Sequence, residues 1–194
     1  LLRDELLIYL SPRDAATVVV DNIGLFETPA GSTLNDNIVI TLVNIEEEST
    51  LKNQPTLRRP FFDNATYENS PVYLNLYVLF TCNYSGNNYI LALKRLSYII
   101  RFLQSKNSFS SASSVAGAIN QDDIDSFDLK FTLELYTLTF EQINHLWCSL
   151  GGRQIPFAMY KLRLVAITER KRVRTVPLIE EIDTTLSKIS NIIL

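Results

Sequence analysis

Apolar residues recur at three- to four-residue spacing in three stretches of this chain and alternate with polar residues in most of the others. Leu2, Leu6 and Tyr9 stripe the opening LLRDELLIYL, which predicts the end of an amphipathic helix. Ser11-Pro12 stops it, because proline disfavours helical backbone in the residue before it. Thr17 to Ile23 is β-branched and reads as a strand, and Gly24 to Thr33 reads as a turn-rich connection. Asn37 to Glu47 places Ile38, Ile40 and Leu42 on one side and Val39 and Val43 on the other. That predicts a strand buried on both faces at its start and wet at its end.

Pro71 to Cys82 carries the strongest strand pattern. Tyr73, Asn75 and Tyr77 alternate with Leu74, Leu76 and Val78, as expected of a central strand with unlike faces. Asn88 to Lys106 is the clearest helix, with Ile90, Leu93, Leu96, Tyr98, Ile100 and Leu103 as its buried stripe. Its cations, Lys94, Arg95, Arg101 and Lys106, fall mainly off that stripe. Leu129 to Tyr136 reads as a half-buried strand with Leu129, Phe131, Leu133 and Leu135 inward. Thr139 and Gln142 have capping-box spacing ahead of FEQINHLWCSLG, and Gly151 or Gly152 suits its C-terminus. Pro156 to Arg170 alternates Met159, Lys161, Arg163 and Val165 against Tyr160, Leu162, Leu164 and Ala166. Thr50 to Ser70 and Asn107 to Asp128 read as long connections without regular structure. Beyond Lys171 the chain is basic, then extended around Pro177, with a possible amphipathic end at Leu186, Ile189 and Ile193. The expected fold is α+β (or α/β): one domain over 1–174, a mixed sheet packed by one long and two shorter helices, then a C-terminal arm over 175–194.

Composition narrows the class. With 194 residues, 46% hydrophobic and 20% charged, the chain is long enough for one sizeable core. The net charge of −3 gives no general attraction to nucleic acid. No apolar run reaches the ~18–20 residues of a membrane helix, and no signal-peptide pattern is seen. The chain opens at Leu1 within a helix-like segment, which is read as a start short of the natural N-terminus. The two cysteines, Cys82 and Cys148, lie far apart in apolar runs and are read as small buried hydrophobes.

Catalytic chemistry lacks its usual residues. The one histidine, His145, sits on a short helix and reads as a surface residue. No GxSxG, GxxxxGK[ST] or GxGxxG is present. Asp122, Asp123, Asp125 and Asp128 lack the glycine and the closing glutamate of a calcium loop and read as a solvated acidic segment. No catalytic residue, metal ligand or cofactor site is therefore assigned. Two charged groups remain: acidic Glu46, Glu47 and Glu48, and basic Lys161, Arg163, Arg170, Lys171, Arg172 and Arg174, with Arg58 and Arg59 in the first long connection. They are candidate protein-contact residues.

Five segments in one order carry a resemblance: NIVITLVNIEEE, PVYLNLYVLFTCNY, YILALKRLSYIIRFLQ, LTFEQINHLWCSLGG and PFAMYKLRLVAI. Over Leu1 to Thr168 the chain resembles the N-terminal domain of cap (tail-terminator) proteins from extracellular contractile injection systems of the antifeeding-prophage and virulence-cassette type. Past Val173 the match lapses. The resemblance implies a phage tail-terminator-like fold and a non-enzymatic role. Such a cap forms a ring, expected to be a hexamer, on the last layer of inner tube and outer sheath, and so sets length. It implies further copies of itself, sheath protein and inner tube protein as partners, with no nucleic acid and no small-molecule substrate. It also implies assembly in the bacterial cytoplasm into a released particle. The alternatives are a baseplate or sheath adaptor of the same machine, a nucleic-acid-binding module resting on Lys161 to Arg174, and an enzyme. Nucleic-acid binding would collapse steeply with salt.

Overall fold

The computed structural model describes residues 1–51, 57–58, 64–68, 72–84, 88–110, 130–167 and 172–177. The backbone falls into two compact units, 1–52 with 72–167 and 53–71 with 168–194. The expected 1–174 span therefore holds parts of both.

In the first unit α1 (Leu2–Leu10) leads to β1 (Val18–Val20), two 3-10 turns and β2 (Asn37–Glu47). In chain order β3 (Leu57–Arg58) and β4 (Asn64–Glu68) come next and belong to the second unit. The first unit resumes with β5 (Val72–Asn83), α2 (Tyr89–Ser105), β6 (Ser108–Ser110), β7 (Lys130–Leu135), α3 (Phe140–Ser149) and β8 (Phe157–Ile167). Its six strands form one sheet in the order β1-β2-β5-β8-β7-β6. β1 runs parallel to β2 and every other pair is antiparallel, so the sheet is mixed, as expected, with β5 central. The second unit holds β3, β4 and β9 (Arg172–Pro177) in an antiparallel sheet. The connection expected to lack regular structure thus contains two strands, and the expected arm from residue 175 starts inside β9.

Two apolar cores flank the six-stranded sheet. On one face Ile38, Ile40, Val78, Phe80, Ala158, Tyr160 and Leu162 meet Leu6 and Leu10 of α1 and Ala92, Ile99 and Phe102 of α2. On the other, Val39, Leu79 and Met159 meet Trp147 of α3 and Ile23 and Leu34 of the 3-10 turns. Strand alternation feeds both cores at once, which is why the strand centres read as continuous apolar runs. Phe80 and Phe109 are fully buried, each stabilising by ~1.5–3 kcal/mol.

The phase of α2 differs from the expectation. Its buried residues are Ala92, Arg95, Ile99, Phe102 and Leu103, whereas Ile90 is 80% exposed and Leu93 and Ile100 are also exposed. The helix is apolar on two sides, and the side that goes inward carries a charged residue with partners. Arg95 Nε and Nη2 donate to the Asp14 carboxylate at 3.2 and 3.1 Å, Nη2 also to the Ala15 carbonyl at 3.1 Å, and Nη1 to the Tyr84 hydroxyl. Arg95 therefore ties α2 to the α1–β1 connection from within. Lys106 reaches the buried Glu5 of α1 at 2.9 Å, a second tie between the same helices.

Candidate functional site

Members of both charged groups, Glu46, Glu48 and Lys161, meet on the α3 face of the six-stranded sheet, and irregular strand pairing puts the acidic ones there. β2 and β5 slip register between Leu42 and Asn44, so Val43 is a bulge residue. Simple alternation places Glu46 with Ile38, Ile40 and Leu42. The extra residue reverses the sides, setting Asn44 across from Tyr77 and Glu46 across from Asn75. The Tyr77 hydroxyl donates to Glu46 Oε2 at 2.7 Å, and the Asn75 amide donates to Glu48 Oε2 at 2.9 Å. The Thr50 hydroxyl adds a bond to Glu48 Oε1 at 2.7 Å. These donors, Asn75 first and Thr50 second, hold the Glu48 carboxyl at about 2, below its ordinary 4.5. Glu46 as acceptor, with burial, pushes the Tyr77 hydroxyl up to about 12. Asn75 is buried and its Oδ1 has no donor among the described residues.

The basic residues divide. Lys161 lies across from Tyr77 in register and its Nζ stands 5.4 Å from that ring's centroid. Arg163 is exposed and pairs with Glu134 of β7 at 3.1 Å. β8 slips against β5 between Leu76 and Leu74, and Val165 joins Leu162 in the α1/α2 core instead of lying with Met159 and Lys161. Arg172 and Arg174 stand in β9, opposite Glu68 and Tyr67 of β4, and Arg58 in β3 opposite Thr66. Arg59, Arg170 and Lys171 lie outside the described residues, as do Asp122, Asp123, Asp125 and Asp128. The structure thus brings Glu46, Glu48 and Lys161 onto one face around Tyr77, while Glu47 is exposed at the strand end.

Asn75, Tyr77 and Tyr136 belong to this site and were not singled out from the sequence as contact residues. The polar stripe Tyr73-Asn75-Tyr77 in an otherwise apolar strand was the available signal. Tyr136 stands edge-on to Tyr77 with centroids 5.1 Å apart. α3, which covers the neighbouring core, is fixed as its sequence anticipates. Thr139 Oγ1 accepts from the Gln142 N–H at 3.3 Å and Gln142 Oε1 from the Thr139 N–H at 2.9 Å. Gly151 and Gly152 close it with φ of 108° and 85°.

His145 is exposed, with Nε2 3.7 Å from Glu141 of the same helix. Among the described residues no group of three or more His, Cys, Asp or Glu side chains is placed to hold a metal ion. Cys82 is buried, but Cys148 is exposed, a correction to its reading as a core residue. α3 packs through Trp147, and the next position on a helix turns away from that face.

A family model described as the Pvc16 N-terminal domain matches residues 1–181. The chain belongs to the Pvc16 N-terminal domain family. Two solved structures share the fold of this family member. One is the sheath/tube terminator of the extracellular contractile injection system PVC in its extended state, with TM-score 0.62 and 12% identity, covering 98% of this chain and 64% of that one. The other is the tube-terminating cap of the anti-feeding prophage AFP, with TM-score 0.60 and 14% identity, covering 95% of this chain and 58% of that one. The chain thus spans less than two thirds of the length of either, and at these identities the likeness is one of fold. No curated protein matches it.

Proposed function

We propose that this chain is a structural cap which closes the inner tube and outer sheath of a contractile injection particle and fixes its length. The observation that carries the reading is the family match over residues 1–181, to which the fold of two terminators adds support. The role is mechanical and calls for no catalytic group. Its partners are further copies of itself in a ring (six is the expected number), the sheath protein and the inner tube protein. Assembly takes place in the bacterial cytoplasm and the particle is then released. Ring closure needs two unlike patches on each subunit and a rotation that closes. The acidic exit of β2 and the basic residues toward β9 supply unlike charge for such a contact. Residues 175–194 are proposed to reach an adjacent cap subunit or the sheath.

The test is deletion of the chain from a producing strain and measurement of particle lengths by negative-stain electron microscopy. Tubes of uncontrolled length, restored to one length by the returned chain, are expected. Particles of normal, uniform length without it overturn the proposal, and absence of any particle points instead to a baseplate role. Removing residues 175–194 is expected to weaken attachment of the ring to the particle; unchanged attachment refutes the arm.

A further inference from the structure

Between the end of β2 and α3 lies a pocket of about 230 Å³, lined among others by Met159, Leu146, Leu138, Tyr77, Tyr136 and Glu46. Small-molecule sites run from about 300 Å³ upward, so this volume suits one long side chain better than a free ligand. Its lining combines apolar surface for an aliphatic stem, two aromatic rings at 5.1 Å, and a carboxylate.

That carboxylate has room for a cation. Among the described residues Glu46 accepts from two neutral donors, the Tyr77 hydroxyl at 2.7 Å and the Asn44 amide at 3.3 Å. An ionised carboxylate offers about four acceptor positions, so roughly two stay open to solvent. Lys161 already stands over the Tyr77 ring, while no cation is stationed over Tyr136 among the described residues. Asn75, across from Glu46 in register, has a buried oxygen with no donor among the described residues. Arginine matches such a site better than lysine. Its planar fork pairs with both carboxylate oxygens and its face stacks on aromatic rings.

We propose that this pocket is an anchor for an arginine of a neighbouring copy of the chain, supplied by Arg172 or Arg174 at alternate positions of β9. The inference rests on the ring reading above and specifies its contact. Acidic pocket and basic strand are different patches of one chain, and their pairing between copies is heterologous, the kind a ring requires. Arg172 and Arg174 belong to a run of four cations in five residues, 170–174, the densest positive segment in a chain of net charge −3.

Two measurements on the full chain test it. In the first, N-acetyl-arginine amide is titrated in while the ring resonances of Tyr77 and Tyr136 are followed by NMR. Saturable shifts are expected near millimolar concentration, about tenfold weaker in Glu46→Gln, and absent with the neutral isostere N-acetyl-citrulline amide. Glu46→Gln keeps an acceptor for the Tyr77 hydroxyl, so the fold stays intact. Equal responses to arginine and citrulline, or none to either, overturn the pocket. In the second, self-association is followed by sedimentation velocity for Glu46→Gln and for Arg172→Gln with Arg174→Gln. Each variant alone is expected to stay monomeric at concentrations where the unaltered chain associates. Mixed, they are expected to form a one-to-one heterodimer that grows no further, through the single intact pocket–arginine pair. Self-association unchanged in Glu46→Gln overturns this contact while leaving the ring reading standing. Arginine-amide binding without any Glu46-dependent association at millimolar protein refutes the second copy as donor and directs the search to sheath or tube protein.

Discussion

Replacing Arg95 with methionine tests how the first unit is held together. Arg95 is 7% exposed and bridges α2 to Asp14, Ala15 and Tyr84 through four hydrogen bonds. Methionine keeps most of the stem volume, so the loss is electrostatic. The Asp14 carboxylate, whose side chain is only 16% exposed, is left without its partner. Breaking a buried pair costs ~3–5 kcal/mol, and partial access of Asp14 to water places this case near the lower end, about 3 kcal/mol. With a urea slope of about 2 kcal/mol/M, the unfolding midpoint falls by about 1.5 M. Removing both partners, as Asp14→Ala with Arg95→Met, returns stability to within about 1 kcal/mol of the starting chain, because neither charge is then buried alone. The pH dependence has a definite sign. Bonding to Arg95 holds Asp14 below its ordinary 3.8, so its contribution is fully present above 3.8 and fades as pH falls through the depressed value. The gap between the unaltered chain and Arg95→Met therefore narrows in acid. Urea titrations followed by Trp147 fluorescence at neutral and acidic pH decide it. A midpoint shift under about 0.3 M at neutral pH, or a double variant as unstable as the summed singles, refutes the reasoning.

Glu48 gives a second acid-sensitive contribution: held at about 2 instead of 4.5, it stabilises above 4.5 and is lost as pH falls toward 2. Glu48→Gln is expected to flatten the midpoint-versus-pH curve in that window, and an unchanged curve counts against it. A Cβ on Gly31 would run into the Leu25 carbonyl, so Gly31→Ala is expected to lower stability by ~1–3 kcal/mol in thermal melts, whereas Gly24→Ala, with more room, costs less. Burial pushes the Cys82 thiol up to about 12, and Cys148 is exposed. A thiol reagent is expected to label one cysteine per native chain and two after unfolding; rapid labelling of both in the native state contradicts the placement of Cys82.

Much of the architecture is local and was therefore readable in the residues. The proline after Ser11, the Thr139–Gln142 capping box and the paired glycines at 151 and 152 act within a few positions of themselves, and α1 and α3 end where these residues place them. The aromatic face and the aliphatic face of β5 marked the central strand, since a strand covered on both sides offers apolar surface to both. The charged residues at the end of β2 were also visible, but the face they serve was not. One bulge residue at Val43 and another irregularity in β8 reversed the sides of Glu46 and Val165, and a bulge is a property of two strands pairing, which alternation along one strand does not contain. The inward face of α2 was likewise undecided by spacing, because the helix offers two apolar sides. The inward side carries Arg95, whose buried charge is matched by Asp14, 81 residues away in sequence, while Ile90 stays in water. The sequence by itself determined the helices and the long strands of the first unit, but not the short strands β3, β4, β6 and β9, which form only by pairing with partners distant in the chain. The tertiary structure decided which side of each element meets the core, and with it the pocket around Tyr77, because that choice depends on contacts between residues far apart along the chain.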